Sequence, residues 1–152
     1  MKNLIVLLVT IFLFSCSSSN KEEVDAANSE NKYLQSEASV EESDIAEVYY
    51  FHGTRRCATC KAVSKVSQGY TLVNYKDAIE KGLVKVMEVD FDQPGNEELV
   101  EKFQVTRSSL FVRTVKDKHE SIYNLTEMAF MNAELHPEKI REAIKLEIEK
   151  VI

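Results

Sequence analysis

Apolar residues along this chain come in short blocks whose spacing changes from one block to the next. Ala46-Glu47-Val48-Tyr49-Tyr50-Phe51 is a strand-like run, rich in β-branched and aromatic side chains. Thr59 to about Gln68 reads as a helix, and Gly69 is expected to stop it. Asp77–Lys81 reads as a short helix ended by Gly82, and Leu83–Phe91 as a buried strand. Gln93-Pro94-Gly95-Asn96 is a turn, and Glu97–Phe103 is a short helix with Leu99, Val100 and Phe103 on one face. Ser109–Val115 and Glu120–Leu125 read as two strands joined through Lys116-Asp117-Lys118. A short helix over Glu127–Ala133 and a last one opened by Pro137 complete the pattern. The last helix carries Ile140, Ala143, Ile144, Ile148 and Val151 at helical spacing, which is a core-packing stripe.

Strands separated by helices pair in parallel through crossovers, and the closely spaced last two form a hairpin. The expected class is therefore α/β: a mixed central sheet with helices on both faces, built by residues 45–152.

The first 44 positions break this pattern. Met1-Lys2-Asn3 is followed by an apolar run from Leu4 to Phe14 and then Ser15-Cys16. A bilayer needs roughly 20 apolar residues for a stable span, so this run reads as a secretory signal over residues 1–15. Residues 16–44 are polar and acidic, with eight carboxylates (Glu22, Glu23, Asp25, Glu30, Glu37, Glu41, Glu42, Asp44) against Lys21 and Lys32. Such a composition buries too little apolar surface to offset its ordering entropy, and it is expected to be a disordered linker.

Charge looks different once this linker is set apart. The formal net charge is −6, with 19 basic and 25 acidic residues. Removing Lys2, Lys21, Lys32 and those eight carboxylates leaves 16 basic against 17 acidic residues. The folded part is close to neutral, so nothing points to nucleic acid, which wants a basic patch.

Three cysteines remain to be placed. Leu13-Phe14-Ser15-Cys16 resembles the lipobox of bacterial lipoproteins, which implies a lipid on Cys16 and a membrane anchor in the cell envelope. Ser17 after it resembles the sorting position that sends such lipoproteins to the outer membrane, facing the periplasm. Cys57-Ala58-Thr59-Cys60 follows a strand and a short loop and opens a helix, which is the context of a redox dithiol. An oxidising envelope permits a disulfide there, but a loop this short staples little, so the value of the pair is chemical. A helix start offers free backbone N–H groups at Cys57, and Arg55 and Arg56 add positive charge.

The order of elements, the size and the position of the pair resemble the thioredoxin fold over the whole of residues 45–152. Val48-Tyr-Tyr-Phe-His-Gly-Thr-Arg-Arg-Cys-Ala-Thr-Cys60 and Val105-Thr-Arg-Ser-Ser-Leu-Phe-Val112 also resemble a small bacterial thioredoxin-like family that carries the name nitrophenyl compound nitroreductase subunit. No flavin or nucleotide signature accompanies that likeness, and no cofactor is expected. The resemblance implies Cys57 as nucleophile and Cys60 as resolving thiol.

Three features depart from the thioredoxin pattern. Phe51 stands where a buried carboxylate serves proton transfer, which leaves water or His52 as the proton's route. Ser109 stands at the place of the cis-proline, where a cis bond would cost several kcal/mol more than before proline, so a trans bond or a rearranged loop is expected. No tryptophan is present. Two functions fit: a thiol–disulfide redox protein acting on partner thiols or disulfides, and a binding module in which Cys57 and Cys60 hold Cu(I) or arsenite. Zinc fits less well, because a closed zinc site wants four protein ligands.

Overall fold

The computed structural model describes residues 44–152. The expected signal, Cys16 and the acidic segment up to residue 43 lie outside the described residues.

Nine elements follow one another: β1 (Ile45–His52), α1 (Ala58–Asn74), α2 (Lys76–Glu80), β2 (Val84–Asp90), α3 (Glu97–Lys102), β3 (Ser109–Lys116), β4 (His119–Asn124), α4 (Thr126–Asn132) and α5 (Pro137–Ile148). The four strands form one mixed sheet in the order β2-β1-β3-β4. β1 and β2 are parallel, from Ala46 opposite Val84 to His52 opposite Asp90. β3 runs antiparallel to both β1 and β4, with Phe51 opposite Ser109 and Lys116 opposite His119. Asp117 and Lys118 take φ of 49° and 65° between those strands, as a two-residue hairpin turn requires.

β1 is buried along nearly its whole length because alternate residues feed two cores. Val48 and Tyr50 face Val63 of α1, Ala129 of α4 and Ile140, Ile144 and Ile148 of α5. Tyr49 and Phe51 face Phe103, Phe111 and Val89, with Leu99 of α3 packed beside them. Helices thus lie on both faces, four on the first and α3 on the second. Of the expected stripe, Ile140, Ile144 and Ile148 of α5 and Val151 just beyond it are core, and Ala143 is only half-buried.

One boundary is corrected. Gly69 does not stop α1, which runs on to Asn74. A glycine within a helix costs about 1 kcal/mol relative to alanine, and packing on both sides of it overrides that. Ser67 and Thr71 are fully buried on the helix's inner face, and Tyr70 meets Tyr75 edge to face. Gly82 does close α2 as expected, at φ 74°.

Candidate dithiol site

The loop between β1 and α1 is held from outside itself. Thr54 donates its backbone N–H to Asp92 Oδ2 at 2.9 Å and its hydroxyl to Asp90 Oδ2 at 3.0 Å. Phe91 N–H donates to the His52 carbonyl at 2.8 Å. The two loops approach so closely at Gly53 that a Cβ there would meet Asp92 Oδ2 at 2.9 Å and the Phe91 ring at 3.2 Å. A side chain at Gly53 would therefore have to shift the Asp92 carboxylate that accepts the Thr54 N–H and crowd the Phe91 ring. Thr54 also helps hold Asp90: its residual burial pushes the carboxyl up, but hydrogen bonds from the Asp92 N–H and Thr54 and the charge of His52 take it below the ordinary range.

This bracing delivers Cys57 to the N-cap of α1, with φ −74° and ψ 170°. Its sulfur takes the place usually held by a serine, threonine or aspartate oxygen. Cys60 N–H donates to Cys57 Sγ at 3.2 Å. Cys57 is exposed, Cys60 is 8 % exposed, and both are free thiols. The outer sulfur is open to an incoming group and the inner one is shielded.

Cys60 is fixed at both ends. Its carbonyl accepts the Tyr50 hydroxyl at 2.7 Å, and its thiol donates to Ser108 Oγ at 3.7 Å. Burial pushes the Cys60 thiol up, but hydrogen bonds with Cys57, Ser108 and Tyr50 outweigh it and leave the thiol below its ordinary value.

The neighbouring residues divide sharply. Arg56 does not stand free beside the sulfurs. Its Nη1 binds Glu88 Oε1 at 2.7 Å and its guanidinium lies over the Tyr50 ring at 5.4 Å. Ser64 donates to the same Glu88 oxygen at 3.2 Å. His52 lies 2.9 Å from the Gly53 carbonyl through Nδ1, which must carry the proton since a carbonyl only accepts. Its Nε2 is 3.7 Å from Glu88, and its ring stacks on Tyr50. These contacts give His52 a loop-holding place. Ser109 opens β3, and its hydroxyl turns back to the Arg107 carbonyl at 2.7 Å. The adjacent Ser108 reaches the sulfur. All peptide bonds among the described residues are trans, including the one before Ser109.

An open groove of about 670 Å3 runs beside Cys60, lined by Arg107, Ser108, Thr126, Glu127, Phe130 and Met131. Met131 is 72 % exposed. No cluster of three or more His, Cys, Asp or Glu side chains suited to a metal occurs among the described residues. Any soft ion here would be held by the two thiols.

Sequence reasoning missed Tyr50, Glu88 and Ser108. Tyr50 was hidden in an apolar strand run. Its signal is alternation: an even position of β1 faces the helix that carries the cysteines.

No family model, curated protein or solved structure matches the chain.

Proposed function

We propose that this chain is a thioredoxin-like thiol–disulfide redox protein, tethered to a membrane in the cell envelope by lipid on Cys16. Its Cys57–Cys60 pair would exchange electrons with the thiols or disulfides of a partner protein. The observation that carries this reading is the Cys60 N–H pointing at the exposed Cys57 sulfur at the helix start. A thiolate placed there meets a fixed donor and the positive end of α1. The sheet order β2-β1-β3-β4, with the pair after β1 and the 107–109 loop before β3, supports the fold reading. The tether rests on the Leu13-Phe14-Ser15-Cys16 resemblance.

In the reducing direction, Cys57 thiolate attacks one sulfur of a partner disulfide, and the other partner sulfur leaves as a thiolate. Cys60, deprotonated, then attacks Cys57 Sγ and releases the second partner sulfur. The partner gains two electrons, and the pair becomes a disulfide. The reverse sequence oxidises a partner dithiol.

The test is a redox titration of the full chain in thiol buffers of defined potential, read as the alkylation mass of the peptide carrying residues 57 and 60. A single reversible two-thiol transition is expected. Cys60→Ser should accumulate a mixed disulfide at Cys57, and Cys57→Ser should trap none. A pair that resists oxidation across the range, and escapes alkylation only when Cu(I) or arsenite is added, overturns the proposal in favour of a soft-ion module.

A further inference from the structure

Behind the resolving cysteine stands a chain of contacts that the thiol chemistry does not by itself require. Tyr50 is fully buried and donates to the Cys60 carbonyl at 2.7 Å. Burial pushes its phenol far up, so it stays a neutral donor at any working pH. Arg56 lies over its ring, and Glu88 holds Arg56 at 2.7 Å. Arg56 Nε is itself buried with no hydrogen-bond partner among the described residues. Leaving a desolvated N–H unpaired is unfavourable, so the guanidinium is held where it is by its other contacts. Tyr50 and Glu88 face each other directly across β1 and β2. One strand pair therefore carries both ends of the chain of contacts.

We infer that Tyr50 is the positioning residue for Cys60, and that Glu88 keeps it in place through Arg56. This rests on the dithiol reading above. The phenol fixes the first turn of α1 at the residue whose sulfur must swing onto Cys57. The charged and titratable groups packed against Tyr50 are Arg56 over its ring, His52 stacked on it, and Glu88, which lies 2.7 Å from Arg56 and 3.7 Å from His52. Arg107 ahead of β3 and Glu127 of α4 line the groove on its open side.

The two half-reactions separate this role from a merely structural one. Glutathione disulfide is added to the reduced full chain, and the mass of the peptide carrying residues 57 and 60 is followed with time and pH. Cys57 first takes on glutathione and releases one glutathione thiolate. Cys60 then displaces the second and closes the Cys57–Cys60 disulfide. In Tyr50→Phe the second step should slow several-fold at neutral pH and its pH midpoint should rise, since burial pushes the Cys60 thiol up and hydrogen bonding with Tyr50 is among the contacts that hold it down. The first step should keep its rate. Glu88→Gln, which leaves Tyr50 intact, should show the same selective slowing to a smaller degree, and Glu88→Asp should restore part of the loss. Equal slowing of both steps, or no change in either variant, overturns the inference while the dithiol reading stands. If Tyr50→Phe does not fold, the Glu88 variants decide alone. A wild-type chain that never takes on glutathione brings down both.

Discussion

Tyr49 and Tyr50 are neighbours in β1, both buried, both hydrogen-bonded through the hydroxyl, and they serve opposite faces of the sheet. Tyr49 donates to Glu47 Oε2 at 3.1 Å. That carboxylate sits in a cross-strand row with Arg113 at 2.7 Å and Lys85 at 3.5 Å. Arg113 also binds Glu120, which Lys102 reaches at 2.7 Å. Beyond the row lie the rings of Phe51, Phe103 and Phe111, with Tyr49 and Phe103 centroids 4.6 Å apart. Every charge in that row is answered by another within it. On the opposite face, Tyr50, Arg56 and Glu88 lead towards the thiols. The same residue type at adjacent positions thus closes one polar network and opens the other onto the Cys57–Cys60 pair. Burial and bonding alone do not distinguish structure from function; where the chain of partners ends does.

The contrast is broken most severely at Arg113. Arg113→Ala leaves Glu47 buried and poorly paired, and should cost about 3 kcal/mol in denaturant or thermal unfolding. The Cys57–Cys60 midpoint should stay where it was in whatever fraction remains folded. A midpoint that moved with this substitution would show the two faces to be coupled through β1.

Tyr49→Phe sharpens the comparison with Tyr50→Phe. Removing one hydroxyl from the Glu47 carboxylate should cost about 1–2 kcal/mol in stability. It should leave both glutathione steps at wild-type rates, whereas the Tyr50 change slows the second. If the two phenylalanine variants behave alike, the distinction between the faces fails.

The smallest effect concerns acid. Hydrogen bonds from Lys102 and Arg113 hold the Glu120 carboxyl below its ordinary range. Its stabilising contribution is therefore complete above the unfolded value, about pH 4.3, and is lost as pH falls through the lower folded value. Glu120 is substantially exposed, so solvent screening limits the contribution to less than about 1 kcal/mol. Glu120→Gln should lose a little stability at pH 7 and show a shallower decline below pH 4 in thermal melts.

Much of this architecture was legible in the sequence because strand patterning here is strong. All four strands follow from runs such as Val48–Phe51 and Ser109–Val115, and the hairpin from Lys116-Asp117-Lys118. The end of α1 was not legible, since Gly69 carries a local signal that buried Ser67 and Thr71 override. Cys57 and Cys60 could be placed by their spacing. Their surroundings could not, because register decides them. Ser108 and Ser109 are adjacent, and only the start of β3 determines which hydroxyl turns to sulfur. Arg56 looked like charge available to the thiols, but Glu88, 32 positions further along, claims it.

The bracing at Gly53 and Thr54 has a consequence for how the protein is made. The loop that presents Cys57 is fastened by partners 36 and 38 positions later in the chain. Such non-local bonds form late, after the entropy of closing the intervening segment has been met. A growing chain carries both cysteines well before Asp90 and Asp92 have been added. During that interval the two cysteines exist without the braced loop that leads into Cys57, and that loop is complete only once β2 has docked against β1.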